Sequence, residues 1–159
     1  MEQPKLILGE VHCDDRGTLS VVNDFAEFEK MKRFYQIKNV SKDVVRAFHG
    51  HFYEEKYIYV TNGSAKIFCA KMKEHCPAQT PKGSMKKVYG LHEKEEFILT
   101  DKLPSILHIP KGYANGFKAL EENTTIIFFS TSTLEESKND DIRFDWNHFG
   151  EDIWNTQNR

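Results

Sequence analysis

Residues 46–56, RAFHGHFYEEK, gather several side chains that can do chemistry in one short segment. His49, His51 and Glu55 offer two imidazole nitrogens and a carboxylate, a set of ligands that suits iron, manganese or zinc. His49 and Lys56 also suit acid–base chemistry, because a neutral imidazole can remove a proton beside a carbonyl while an ammonium stabilises the enolate oxygen. The third interpretation is a solvated strand face with no special role.

The direction in which these side chains point depends on the element that carries them. In a β-strand, side chains two residues apart share a face, so Arg46 would point to one side and His49 and His51 to the other. A twist or bulge would return Lys56 to the histidine side. Arg46 offers the paired donors that bind a phosphate. We therefore expect the two histidines to converge on the interior of a small barrel, a common place for a small-ligand site.

Short β-type runs such as TLSVVN, KYIYV and TTIIFFSTS recur along the chain, with turn residues between them. This spacing is typical of a sandwich or barrel. The strongest hairpin signal is Asn62-Gly63, because this pair tolerates positive φ. Helical signals are weak and fall on residues 24–31 and 132–140. The pattern predicts an all-β antiparallel jelly roll with one or two short helices, in a single domain spanning 1–159.

Composition excludes several classes of function. Hydrophobic residue types make up 39% of the 159 residues, as in a globular domain, and the net charge of -2 gives no basic excess for nucleic acid. No apolar run approaches the roughly 18 residues of a membrane span, and we expect no signal peptide. Cys13, Cys69 and Cys76 form no CxxC pair, which predicts reduced thiols and a cytoplasmic location.

Five segments stand out along the chain: DDRGTLSVV (14–22), KRFYQIKNV (32–40), RAFHGHFYEEKYIYVTNGSAKIF (46–68), LHIPKGYANGF (107–117) and IRFDWNHFGEDIW (142–154). They occur in the order found in the dTDP-4-dehydrorhamnose 3,5-epimerases, which the chain resembles over most of its length. The resemblance implies a cupin-type jelly roll (a double-stranded β-helix or barrel) that forms a homodimer and needs no metal or other cofactor. It also implies epimerisation at C3 and/or C5 of a nucleotide-linked 4-keto-6-deoxy sugar, in deoxysugar and lipopolysaccharide O-antigen biosynthesis.

The resemblance also implies roles for individual residues. His49 matches the general base that removes the proton beside the C4 ketone, and Lys56 matches the residue that stabilises the enolate. Asp145 is the candidate for the carboxylate that orients this histidine and raises its basicity. The expected contacts to the diphosphate, the sugar or the rest of the substrate pocket are Arg16, Arg46, Gln36, Asn39 and Asn115.

Two departures from the family pattern leave the reaction open. The family's tyrosine acid falls on Ser132, Thr133 and Leu134, and none of these has a phenol. RAFHGH also resembles the Arg-Gly-x-His-x-His of the dTDP-4-keto-6-deoxyglucose 3,4-ketoisomerases, in which two histidines move protons on one face of the sugar. His51 would then be catalytic, with Tyr35 as its partner. The epimerase ranks first and the ketoisomerase is the alternative.

A metal-binding cupin or a non-catalytic sugar-nucleotide-binding module is a further alternative. His49-x-His51 followed by Glu55 approximates the first metal motif of cupins. The second motif has the form P-x-G-x-x-H, and here PKGYAN puts Asn115 where the histidine ligand should be. This change weakens the metal interpretation.

Overall fold

Two five-stranded antiparallel sheets and a separate hairpin make up most of the protein. The computed structural model describes residues 2–79 and 85–156, without side chains at 74–79 and 85–88. The first sheet has the spatial order β1 (Lys5–Leu8), β9 (Ser105–Ile109), β6 (Lys56–Asn62), β11 (Thr125–Ser130) and β4 (Arg33–Lys38). The second has the order β12 (Ile142–Arg143), β5 (Val45–His51), β10 (Tyr113–Ala119), β7 (Ser64–Gln79) and β8 (Met85–Thr100). The hairpin pairs β2 (Glu10–Asp14) with β3 (Gly17–Val21).

The core lies between the facing surfaces of the two sheets. Alternation along β11 turns Ile126 and Phe128 inward, where they join Ile67 and Phe117 of the second sheet in one cluster. Burial of each such side chain contributes about 1.5–3 kcal/mol to the free energy of unfolding. This double-layered antiparallel arrangement confirms the predicted all-β jelly roll.

The C-terminal segment covers the outer face of the second sheet. Trp154 packs there against Phe48 and Phe68, and all three side chains are buried. The buried Lys66 donates from Nζ to the backbone carbonyl of Asn155 at 2.8 Å, which fixes the end of the segment on the sheet. The preceding part of this segment is thereby held near the strand that carries the two histidines, with β12 paired to β5.

The helical predictions are confirmed, whereas the hairpin prediction is wrong. A 3-10 turn at Phe28–Lys30 and the helix α1 (Leu134–Asn139) lie in the two expected segments, and a second 3-10 turn spans Asp152–Trp154. The Asn62-Gly63 turn has positive φ at the glycine, but it joins β6 of the first sheet to β7 of the second, so it forms no hairpin. Among the described residues, no helix has the length and apolar character needed to cross a membrane.

Candidate active site

A cavity of about 620 Å³ opens between the two sheets, with α1 and the C-terminal segment at its edge. Its volume suits a ligand of drug-like or nucleotide-sugar size. Six residues that the sequence analysis singled out line it: Tyr35, Arg46, His49, His51, Lys56 and Asn115. Tyr35 comes from the first sheet and the histidines from the second, so they stand on facing walls.

A bulge in β5 decides the direction of Arg46. His49 pairs with Asn115 of β10, and Arg46 pairs with Phe117. Arg46 is three residues from His49 along β5, whereas Phe117 is two residues from Asn115 along β10. An extra residue shifts the alternation of side chains by one place. Arg46 therefore lines the same cavity as His49. The expectation that Arg46 points away from the histidines is wrong for this reason.

Asp141 is the carboxylate that contacts His49. Its Oδ1 lies 3.2 Å from His49 Nδ1, and its Oδ2 accepts a 2.8 Å hydrogen bond from Arg143 Nε. Burial alone raises the pKa of Asp141, but the hydrogen bonds from Arg143 and His49 outweigh it and hold that pKa below its usual value. The anionic Asp141 therefore favours a proton on Nδ1 and leaves Nε2 of His49 as the base.

The expectation that Asp145 fills this role is wrong. Asp145 is exposed and does not line the cavity. Its backbone carbonyl accepts a hydrogen bond from the His148 amide, so this part of the chain turns away after β12. The pairing of β12 with β5, which sets Arg143 opposite His49, is what brings Asp141 to the histidine.

We expect Asp141→Asn to slow turnover by about 10- to 100-fold, less than the loss of the base itself. The Arg143 guanidinium can only donate hydrogen bonds, so it would bind the side-chain oxygen of the asparagine. The asparagine NH₂ would then face His49, and Nδ1 would have to accept a hydrogen bond instead of donating one. Steady-state kinetics on the two aspartate variants check this. Asp145→Asn is the matched control and should leave kcat near wild type. Equal losses in both variants would contradict the assignment.

Lys56 lies on the floor of the cavity and is almost wholly buried. Its Nζ donates to Asn115 Oδ1 at 3.3 Å. Burial is the main cause that lowers the pKa of Lys56, and the nearby carboxylate of Glu54 partly opposes this shift. Asn115, which stands where the family has a histidine, thus orients a desolvated ammonium beside the two imidazoles.

His51 is buried, whereas His49 is partly exposed. Burial first, and the charge of Lys56 second, lower the pKa of His51, so its imidazole is neutral near pH 7. The nearest carboxylate oxygen is Oε2 of Glu54, 3.4 Å from His51 Nδ1. Sequence reasoning missed Glu54, because adjacent glutamates look alike in sequence and only the fold turns one of them inward.

Two residues of the β4 region behave differently from expectation. Gln36 is exposed and lies outside the cavity lining, because it alternates with Arg33, Tyr35 and Ile37, which face inward. Gln36 therefore does not line the cavity of its own chain, where the sequence analysis expects it to contact substrate. Asn39 does not line the cavity either. Its Oδ1 accepts a 2.8 Å hydrogen bond from Arg46 Nε, so Asn39 positions Arg46.

Tyr35 is the phenol that the cavity contains. Its ring stacks on Phe128 with centroids 5.1 Å apart, and the Arg33 guanidinium lies over it. Burial raises the pKa of Tyr35, with a further contribution from the charge of Glu54, so its hydroxyl keeps its proton near neutral pH. Tyr35 can therefore donate a proton from the wall opposite His49.

Arg16 lies outside this cavity. It sits at the turn of the exposed β2–β3 hairpin and forms an ion pair with Asp14 of the same hairpin. The two residues line a separate shallow depression with other residues of the hairpin. A contact between Arg16 and a substrate in the cavity of the same chain is therefore not supported.

Helix α1 begins at Thr133 and Leu134, two of the residues on which the resemblance places the family's tyrosine acid. Thr133 caps it by accepting from the Glu136 amide, while the Glu136 carboxylate accepts from the Thr133 amide. The helix turns Leu134, Ser137 and Lys138 toward the cavity. The Thr133-x-x-Glu136 spacing in the sequence indicates the start of this helix. It does not indicate that the helix lines the cavity.

The ligand set considered for a metal is not assembled. Glu55 points away from His49 and His51, and its Oε2 lies 3.0 Å from His108 Nε2. Its Oε1 lies 3.7 Å from Lys111 Nζ. In the part of the chain that the structure describes, no group of three His, Cys, Asp or Glu side chains has the arrangement of a metal site.

The comparisons with known proteins agree with this geometry. The family model described as dTDP-4-dehydrorhamnose 3,5-epimerase matches residues 1–157. A protein of Bacillus subtilis (strain 168), described as spore coat polysaccharide biosynthesis protein SpsL, is 28% identical over 155 residues, which are 93% of this chain and 92% of the relative.

Solved structures show the shared fold. The dTDP-4-dehydrorhamnose 3,5-epimerase of Bacillus anthracis str. Ames, with TDP and PPi bound, is 19% identical with a TM-score of 0.67, covering 91% of this chain and 79% of its own. QdtA, a sugar 3,4-ketoisomerase from Thermoanaerobacterium thermosaccharolyticum in complex with TDP, is 20% identical with a TM-score of 0.64. The match covers 96% of this chain and 91% of QdtA. The cupin-type jelly roll is therefore confirmed, and both candidate reactions occur on it.

Proposed function

The chain belongs to the dTDP-4-dehydrorhamnose 3,5-epimerase family, and we propose that it is an isomerase that inverts C3 and/or C5 of a nucleotide-linked 4-keto-6-deoxy sugar. One observation carries this proposal. His49, oriented by Asp141, shares a cavity with the desolvated ammonium of Lys56, and these are the base and the electrostatic partner that enolisation requires.

The proposed reaction begins with proton abstraction. His49 Nε2 takes the proton from the carbon beside the C4 ketone, and the electron pair of that C–H bond moves to the ketone oxygen as an enolate. Lys56 stabilises the oxygen anion, while Asp141 stabilises the imidazolium that forms. Inversion requires return of a proton to the opposite face of the sugar. Tyr35, on the facing sheet, is the donor that this chain offers for that step.

The mouth of the cavity suits the nucleotide end of the substrate. Arg46, Lys138 and Arg143 are cations that line it, and Trp146 presents a 43% exposed indole beside them. Cations bind a diphosphate by charge and hydrogen bonds, and an exposed indole offers a face on which a base can stack. We propose that the diphosphate lies among the cations and the base near Trp146, with the sugar beside Lys56.

A 3,4-ketoisomerase is the second candidate, and one observation favours it. His49 and His51 line the same wall of the cavity, separated by one residue, so both can reach one face of a sugar. Transfer of a proton between C3 and C4 on one face needs no acid on the other side. In that reaction His51 would return the proton that His49 removes.

NMR on a panel of 4-keto-6-deoxy nucleotide sugars in D₂O tests both candidates. The epimerase predicts deuterium at C3 and/or C5 with inversion, and Tyr35→Phe should keep proton removal but slow inversion. The ketoisomerase predicts a 3-keto product, with His51→Asn as damaging as His49→Asn. Binding of the sugar nucleotides with neither exchange nor a new product would reject both reactions and leave a binding module.

We also propose that the protein is a cytoplasmic homodimer that serves surface-polysaccharide synthesis. The β2–β3 hairpin supports the dimer, because the exposed Val11 and Leu19 gain no burial within one chain. Dimerisation would bury them and would allow Arg16 to contact a partner's substrate. Light scattering should give twice the 18.6 kDa chain mass. Cys13 and Cys69 form no disulfide in the structure, which fits a cytoplasmic location.

A further inference from the structure

Glu54 is a buried carboxylate that sits behind the cavity wall. Its side chain has no exposed surface. Oε1 accepts hydrogen bonds from Ser130 Oγ at 2.8 Å and from Arg33 Nη2 at 3.2 Å. Arg33 is itself held by the Ser132 carbonyl and by Ser137 of α1. One oxygen of Glu54 is thus fixed by donors, and the second points elsewhere.

The second oxygen faces His51. Glu54 Oε2 and His51 Nδ1 lie 3.4 Å apart and both are buried, and neither atom forms a hydrogen bond with a described residue, including the other atom of this pair. Buried polar atoms almost always find a partner, and among the described residues Glu54 Oε2 is the carboxylate oxygen nearest to His51 Nδ1. A proton on Nδ1 that points at Oε2 satisfies both atoms after a small approach of the two groups.

Asp140 is a second carboxylate within 4 Å of His51 Nδ1, and both of its oxygens already accept other hydrogen bonds. Its Oδ2 lies 3.9 Å from His51 Nδ1, too far for a hydrogen bond. Its two oxygens accept from the backbone amides of Phe52 and Tyr53 at 3.0 and 2.7 Å. Asp140 therefore holds the loop after β5, and Glu54 is left as the acceptor for His51.

We propose that Glu54 is a positioning residue that keeps the proton of His51 on Nδ1 and turns an unprotonated Nε2 toward the cavity. This inference rests on the second candidate reaction, the 3,4-ketoisomerase, in one respect only, namely that His51 exchanges protons with the bound sugar. Glu54 then does for His51 what Asp141 does for His49. The cavity wall holds two histidine–carboxylate pairs, each with an arginine on the carboxylate: Arg33 on Glu54 and Arg143 on Asp141.

The substitution Glu54→Gln tests this inference because it reverses the hydrogen bond without changing the size of the side chain. Arg33 can only donate, so it would hold the glutamine oxygen. The amide NH₂ would then face His51 Nδ1, which must accept, and the proton must move to Nε2. We expect two-bond ¹H–¹⁵N spectra of the ¹⁵N-labelled full-length protein near neutral pH to show His51 protonated on Nδ1 in the wild type and on Nε2 in Glu54→Gln.

The His51 signals are assigned by their loss in His51→Asn. Glu55→Gln is the matched control, because its carboxylate contacts His108 away from the cavity, and it should leave the His51 tautomer unchanged. Glu54→Asp keeps an acceptor and should restore the Nδ1 proton, and it serves as the second variant if Glu54→Gln does not fold. An unchanged tautomer in Glu54→Gln, or an Nε2 proton in the wild type or in Glu54→Asp, would overturn the inference.

Kinetics then connect the tautomer to the reaction. On a sugar nucleotide that the wild type turns over, Glu54→Gln should lower kcat by about tenfold or more with little change in KM, and Glu54→Asp should recover part of the loss. A reversed tautomer with wild-type kcat would show that His51 takes no part in proton transfer, which overturns the inference. The tautomers are read in the free protein, so a wild type without activity on any substrate would refute the proposed function alone.

Discussion

His49→Asn is expected to lower the rate of deuterium incorporation into a 4-keto-6-deoxy nucleotide sugar by about 10³-fold, within the 10²- to 10⁴-fold range of a positioned general base. The asparagine keeps a polar side chain at this position but has no lone pair basic enough to remove a carbon-bound proton. Asp141, Lys56 and Arg46 stay in place, so substrate binding should change little. NMR in D₂O measures the exchange, and calorimetric titration measures the affinity.

The position of His49 makes this a test of chemistry and not of folding. Its side chain is partly exposed at the cavity wall and is hydrogen-bonded to Asp141, so the variant should unfold at a temperature near that of the wild type. The control is His148→Asn, a substitution of an exposed histidine that does not line the cavity and that should leave exchange unchanged. Full exchange in His49→Asn would reject His49 as the base.

Lys56→Met is expected to lower kcat by about 10²- to 10³-fold, the effect of removing one donor that stabilises an oxyanion. The ammonium is almost wholly buried, and in such a site its interaction with an enolate is stronger than in solution. Methionine fills a similar volume without a buried charge, so we expect no large loss of thermal stability. Steady-state kinetics and thermal unfolding of the same preparation separate the two effects.

The pH dependence of activity gives a second test of the role of Lys56. Burial lowers the pKa of Lys56, so its positive charge is present below the shifted pKa and is lost as the pH rises through it. Activity that needs the charge should therefore fall on the alkaline side, below the ordinary lysine value of 10.5. Lys56→Met should also raise the pKa of His51, because the charge of Lys56 depresses it. An alkaline limb that persists in Lys56→Met would show that another group causes it.

Local pattern was enough to predict the fold class. Alternating apolar residues in runs such as TTIIFFSTS predict strands, and both weak helical signals correspond to real turns or helices. The Asn62-Gly63 turn shows the limit, because a turn signal reports a local backbone conformation and not the sheet to which the next strand belongs. Pairing between strands is decided by contacts that are distant in sequence.

Residue types likewise indicated the chemistry of the site, and six expected side chains meet in one cavity. The errors have a common cause. Gln36 was placed by motif position, although the period of two along β4 turns it to solvent. The resemblance to the family implies Asp145, although the pairing of β12 with β5 brings Asp141 to His49. In both cases the direction of a side chain was settled by strand register.

The amino-acid sequence by itself determined which groups are available: a histidine base, a lysine, two neighbouring histidines and a phenol on the preceding strand. The tertiary structure alone decided which of them work together. The bulge in β5 turns Arg46 to the side of His49, and the fold turns Glu54 inward and Glu55 outward. The physical reason is that a shift of one residue along a strand moves a side chain to the opposite face of the sheet. Pairing with strands that are distant in sequence fixes this register.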